Sequence, residues 1–334
     1  VGSVFYLAAG NLVVLAGGQL LMGMGHTVLW MRAQATVIQI GTDSERDRNL
    51  GIFGFGTGLG QLSGPLLGGW LLDISGFHGV FLASLLGSAV TLLLIILLPA
   101  TRRASGGAGE SAQSGRGGEE ADSKSTLLTG LALLRNGGMQ VVITGSFISL
   151  FVTSAKQSFF PVWLESVGMT GVQIGMVTSV AGLASLAVRP MLPVLVRLLT
   201  RRGVLMGSLM LGITSIAVIP LFTSVWGLGA VSMAMGLACG LNQPMSLTLI
   251  ANAVSDAQRG SAMGLRLLAN RVAHVINPAL MGVVVSAAGL AYGFWANAGF
   301  LVLALAFLHQ RVVSHGFDHS LKQPGAVGGA RGSG

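Results

Sequence analysis

The side chains able to do chemistry in this chain are basic, amide and imidazole groups set inside apolar runs. Arg32, Lys156, Arg189, Arg266 and Arg271 each interrupt such a run, whereas every Asp and Glu falls in a loop, a tail or at a run's end, with Asp73 and Glu165 the nearest. A charge held at bilayer depth is costly, so each buried cation is expected to serve a binding pocket or a passage. Arg266, Asn270, His274 and Asn277 follow the i, i+4, i+8, i+11 spacing of one helix face, with Arg271 beside them. Two readings of this stripe stand: it lines a water-filled path that takes a polar or anionic solute, or it is an interhelical network with Arg266 snorkelling at one end. No carboxylate in the visible chain is placed to carry a proton through an apolar core.

The remaining polar positions divide in the same way. Lys156-Gln157 precedes Phe159-Phe160-Pro161 and reads as a gate, a substrate contact or a snorkelling pair. Arg32 and Gln34 fall deep enough in their run to line a central cavity. Asn242-Gln243-Pro244 either frees carbonyls and amides for a ligand or simply kinks a helix. Arg189-Pro190 is expected near one membrane surface, in a gating region, and His26 as a packed, hydrogen-bonded side chain. Nothing points to catalysis: there is no phosphate-binding Walker loop, no His/Cys/Asp cluster at metal-ligand spacing and no nucleophile elbow. The chain is therefore expected to be no enzyme, to hold no metal and to need no cofactor.

The elements that must position these groups are membrane helices. Of 334 residues 52% are apolar and 9% charged, against about 25% charged in soluble domains. The apolar windows are long enough to span a hydrocarbon core, which takes about 20 helical residues. Ten spans are expected: Val1–Gly17, Gln19–Ile40, Leu50–Leu72, His78–Pro99, Gly138–Trp163, Val172–Val196, Val204–Phe222, Trp226–Ile250, Ser261–Ser286 and Ala291–His309. They group into a helical unit over 1–100 and another over 138–311, with a Gly/Ser-rich linker over 101–137 and a low-complexity tail over 312–334 expected to be disordered.

The formal charge of +8 does not indicate nucleic-acid binding, because most basic residues lie in short loops between apolar spans, with no basic stripe along a polar helix. Arg46, Arg48, Arg102, Arg103, Arg116, Lys124, Arg135, Arg197, Arg201, Arg202, Arg259, Arg311, Lys322 and Arg331 all fall on one side of the expected topology, and the loops of the other side contain neither Lys nor Arg. The positive-inside rule makes the basic side cytoplasmic, linker and tail included. Trp70, Trp163, Trp226 and Trp295 then sit near the opposite interface. Cys239, the single cysteine, excludes an intramolecular disulfide.

A shift of 213 residues lays the first part of the chain on the last. Met22-Gly23 meets Met235-Gly236, Asp43 meets Asp256, Arg46 meets Arg259, Gly51 meets Gly264, Pro65 meets Pro278, Gly69 meets Gly282, Gly76 meets Gly289 and Phe81 meets Phe294. Both copies run in the same sense, as in transporters built from parallel repeats. The helices from Gly138 and Val172 have no counterparts, so about two further helices are expected ahead of Val1.

Gly51, Gly60, Gly64-Pro65 and Gly68-Gly69 carry the spacing of a helix-five motif. On these residues the chain resembles the major facilitator superfamily, especially its drug:proton antiporter branch, from the third helix of that fold to the twelfth. The resemblance implies an all-α membrane protein of two parallel, pseudo-symmetric bundles with ten of twelve helices present. It implies a secondary transporter working by alternating access, most simply proton-driven efflux of a small solute by a monomer in the plasma membrane. Uptake or exchange of an anionic metabolite, or a non-transporting remnant, are the rival readings. Gln19 and Met22 depart from the family's helix-four motif. Arg201-Arg202 match a gating-loop motif in which Arg197 replaces an Asp and Thr200 a Gly. Gly56, Gly60, Gly64 and Gly68, every fourth residue, are expected to form a smooth ridge for a close partner helix, bent by Pro65.

Overall fold

The computed structural model describes residues 11–39, 43–97, 137–253 and 259–314, and all of its regular elements are helical. The expected linker over 101–137, apart from Gly137, and the tail from residue 315 lie outside the described residues, as does most of the expected span Val1–Gly17. So do the side chains of Gln34 and Gln243.

Helix α1 spans Leu12–Gln39 without a break. The expected division between Gly17 and Gln19 is therefore displaced. The boundary is at Asn11, whose Oδ1 accepts the Val14 N–H at 3.0 Å and caps the first turn. Helix α2 runs Asp43–Leu97, with a non-helical residue at Gly76. Its apolar stretch of 44 residues would be about 66 Å long as one rod, twice the hydrocarbon thickness. Gly76 resolves this at φ 62°, a conformation open mainly to glycine. A Cβ at Gly79 would lie 3.9 Å from the carbonyl of Leu71, so the chain has turned back there. The same accommodation recurs at Gly289, φ 98°, between α8 (Arg259–Ala288) and α9 (Leu290–Ser314). Gly76 and Gly289 are the pair that the 213-residue shift superposes, and the paired Pro65 and Pro278 each lie inside a helix.

Between these come α3 (Gly137–Ser158), α4 (Phe160–Ser166) and α5 (Gly171–Val188). A 3₁₀ turn, Arg189–Met191, leads into α6 (Leu192–Val218), and α7 covers Val225–Ala253. Helix α6 also has a break, at Thr200 with φ 64° and ψ 160°.

The chain separates into two compact units, Val1–Glu119 with Gly168–Gly182, and Glu120–Val167 with Leu183–Gly334. In the second unit α3 is the central helix and touches α6, α7, α8 and α9. Its Met139, Ile148 and Phe151 are fully buried, against Leu209 and Ile216 of α6, Met235 of α7 and Phe294 of α9 in the same core. Small residues set the spacing: a Cβ at Gly212 would lie 3.2 Å from Val152 and 3.4 Å from Ala238. Trp163 donates to the carbonyl of Phe222 at 3.4 Å and Trp295 to that of Ala217 at 3.1 Å, gathering both indoles at the end where α6 stops. The outward faces carry exposed Leu, Val, Ile and Phe throughout. Such a surface suits lipid and not water.

Candidate functional site

Of the motif glycines, Gly69 meets another helix through backbone contact among the described residues, to one side of the expected ridge. No described atom comes within 4 Å of a Cβ placed at Gly51, Gly56, Gly60, Gly64 or Gly68. The close approach is one position further round α2, at Gln61, Pro65, Gly69 and Asp73, again every fourth residue, and its partner is the part of α5 up to Gly182, which lies in the same compact unit. A Cβ at Gly69 would collide with the carbonyl of Gly171 and lie 3.2 Å from Gly175 Cα; one at Gly175 would collide with the carbonyl of Pro65; one at Gly182 would lie 3.0 Å from the carbonyl of Gln61. Pro65 explains part of this choice. It has no N–H to give the carbonyl of Gln61 four residues back, so that oxygen is left outside the helix ladder. One residue along, Ser179 Oγ donates to the carbonyl of Leu62 at 2.6 Å. The helices thus touch along a polar-edged backbone strip.

Asp73 closes the strip at one end. Its Oδ1 accepts the Gly171 N–H at 2.6 Å and its Oδ2 the Val172 N–H at 2.8 Å. Two of the four orphan donors at the start of α5 are satisfied by a carboxylate from another helix, where the helix dipole favours negative charge. The sequence marked Asp73 only as a helix-end acid. The run Gly171, Gly175, Ser179 and Gly182 was the available signal for its partner, small residues on one face of an apolar helix.

In the second unit the α8 stripe divides. Arg266 Nε donates to Ser146 Oγ of α3 at 3.4 Å, and Asn277, fully buried, donates to the carbonyl of Phe151 at 3.0 Å. Asn277 Oδ1 in turn accepts from Asn297 of α9 at 2.9 Å. These residues fasten α8 to its neighbours. Asn270 is half-buried, while Arg271 and His274 are exposed. Asn297 was not expected; its only sequence mark is an amide between Ala296 and Ala298.

Asn242 is buried and donates to Ser208 of α6 at 3.5 Å, with α7 continuous through Pro244. A Cβ at the nearby Gly240 would lie 2.7 Å from the carbonyl of Ser185. Lys156 is half-buried and Gln157 exposed in the last turn of α3, one residue before the chain breaks at Phe159 and restarts with Pro161 in the first turn of α4. Arg189 opens the 3₁₀ turn with its Nε shielded from solvent and unpartnered among the described residues. Arg201 and Arg202 are half-buried at the start of α6's second arm, and Arg32 is exposed on α1. The carboxylates with described side chains are Asp73 and Glu165, so no acid is seen beside these cations. Among the described residues no group of His, Cys, Asp and Glu could hold a metal ion.

The profile of the Major Facilitator Superfamily matches this chain twice, over residues 1–208 and 142–327. The chain belongs to the Major Facilitator Superfamily. No curated protein matches it in sequence. Among solved structures it is similar to a POT family transporter in complex with 5-aminolevulinic acid, at 14% identity and a TM-score of 0.70, covering 96% of this chain and 81% of that one. It is likewise similar to a bacterial homolog of the human lysosomal transporter Spinster in an inward-facing and occupied conformation, at 16% identity and a TM-score of 0.69, covering 97% and 81%. At such identities the likeness is one of fold. This superfamily member is an all-α, multi-pass membrane protein with the superfamily's fold, of a class that transports solutes rather than transforming them.

Proposed function

We propose that this transporter exports a small, amphipathic solute from the cytoplasm by alternating access, in exchange for protons. The observation that supports this reading is the spacing Gly51, Gly60, Gly64-Pro65 and Gly68-Gly69, which resembles the antiporter motif. Its physical counterpart is the strip where Pro65 and Gly69 meet Gly175 and Gly171. Two helices in contact through backbone have no interlocked side chains to unpack when one tilts on the other, which suits a moving seam. On the positive-inside rule the Arg-rich loops face the cytoplasm; in this reading the membrane is the plasma membrane and the protein works as a monomer. The proton gradient is its energy source.

A second reading is favoured by Arg271. It is exposed on α8 beside His274, at a depth where exposure to lipid is costly and a water-filled path is the cheaper surrounding. A cationic lining suits uptake or exchange of an anionic metabolite. The two readings separate in cells. A strain lacking the protein should accumulate more of a fluorescent amphipathic dye than one expressing it, and a protonophore should abolish that difference. Unchanged accumulation over a broad dye panel would reject export and favour uptake.

A further inference from the structure

The second arm of α6 (201–218) and α9 run antiparallel in the second unit, and a groove of about 590 Å³ opens between them. That volume is in the range of small-molecule sites. Its two ends differ in chemistry. Arg202 near the start of the arm and His309 near the end of α9 bring a guanidinium and an imidazole to one mouth, while Met206, Met210, Val302 and Leu305 line the body. Arg202 to Met210 spans eight residues and His309 to Val302 seven, so the groove is about 10–12 Å deep. The apolar half-thickness of a bilayer is about 15 Å. Met210 and Val302 are 55% and 52% exposed, so the walls present apolar surface outward. Gly203 and Ala306 keep the floor open, and a Cβ at Gly207 would meet nothing. Neither α6 nor α9 contains a single Asp or Glu, so no acid on either helix neutralises the mouth.

We propose that this groove is a binding site for one anionic phospholipid, taken from the leaflet on the Arg197–Arg202 side of the membrane. The phosphate sits against the Arg202 guanidinium and the His309 imidazole, and an acyl chain lies along Met206 and Met210. A soluble phosphate offers the mouth its charge but leaves the apolar body empty. A zwitterionic lipid fills the body but brings its own cation to Arg202. Only a lipid with net negative charge satisfies both parts. The site is separate from the α2–α5 strip and from the exposed part of the α8 stripe, and it holds whichever way solute is moved.

The test is native mass spectrometry of the purified full chain, released from detergent containing equimolar phosphatidylglycerol and phosphatidylcholine. Wild type is expected to retain phosphatidylglycerol preferentially. Arg202→Gln should lower that retention about fivefold, the equivalent of one basic residue at a membrane surface. Met206→Trp, which fills the body without touching charge, should lower it comparably, with Met210→Phe replacing it should the Trp variant fail to elute as wild type does. Arg197→Gln, at the same end but outside the groove, should leave retention unchanged, and glycerol phosphate should not displace the lipid. Equal retention of the two lipids, an Arg197→Gln loss matching Arg202→Gln, or displacement by glycerol phosphate would each overturn the site. None of these readouts depends on transport.

Discussion

Asp73 accepts the Gly171 N–H at 2.6 Å across 98 residues of sequence, and the neighbouring Val172 N–H with its second oxygen. One side chain thereby adds to the cap that Thr170 and Gln173 give α5 through their reciprocal bonds, and it anchors the end of the strip that begins at Gln61. Removing it leaves two amides at a helix start without a partner. Asp73→Ala is expected to destabilise the protein by about 1 kcal/mol, as lost caps do, and Asp73→Asn, which keeps one acceptor, by less. Thermal unfolding in detergent checks the order wild type, Asn, Ala. Equal melting of all three would remove the cap from the account.

The position of the strip makes a sharper prediction within the glycine motif. A methyl at Gly175 runs into the backbone carbonyl of Pro65, which cannot rotate away, whereas a methyl at Gly64 meets nothing within 4 Å. Gly175→Ala should therefore force the helices apart, at the roughly 1–3 kcal/mol of an overpacked contact, and reduce transport at least tenfold. Gly64→Ala should transport nearly as wild type. The reverse pattern in a vesicle flux assay would restore the Gly56 to Gly68 ridge.

The contrast shows what a sequence can and cannot disclose. The repeat was legible because turns impose a backbone demand at one residue: Gly76 and Gly289 both need positive φ, and each keeps glycine. Helix positions followed from composition, and Pro65 and Pro278 were read correctly as lying within helices. What periodicity left open was which face of α2 meets a neighbour. Gly64 and Gly69 are both glycine, and only the neighbour's own small-residue spacing separates them. Gly17-Gly18 read as a break because glycine weakens a helix, yet α1 passes through it, since in lipid an opened backbone costs more than a poor propensity. The α8 stripe looked uniform because helical spacing places Arg266, Asn270, His274 and Asn277 together. Whether each finds a partner is decided by Ser146, Phe151 and Asn297 on other helices.

Thr200 occupies a backbone conformation, φ 64° and ψ 160°, that is almost confined to glycine and costs a residue with a Cβ roughly 1–3 kcal/mol. It also stands where the resembling gating motif has Gly. Its Oγ1 accepts the Gly203 N–H at 3.2 Å and so offsets part of the strain. Thr200→Gly trades that cap for relief of strain, with a net gain of about 1 kcal/mol expected. A raised melting temperature checks it. An unchanged or lowered one would show that the cap outweighs the strain.

The Asn297–Asn277–Phe151 chain joins α9, α8 and α3 through buried amides. Asn277→Ala removes both the donor to the Phe151 carbonyl and the acceptor for Asn297, leaving buried polar groups unpaired at about 1–3 kcal/mol. The expected result is lower thermal stability. Asn270→Ala, whose side chain is half-buried with no described partner for Oδ1, should cost clearly less. Equal losses would mean that the network contributes no more than ordinary packing.

Arg271 provides the most direct test of the transport path. It shares α8 with Arg266 and Asn277, which are tied to α3, but it is exposed. A role in packing therefore predicts little effect of its removal on stability. A role in the path predicts a large effect on flux, because a cation kept at that depth is costly unless water or solute meets it. Arg271→Ala is expected to abolish transport while membrane abundance and melting temperature stay within error of wild type. Arg271→Lys, which keeps the charge, should retain part of the activity. Full activity in the alanine variant would take α8 out of the solute path.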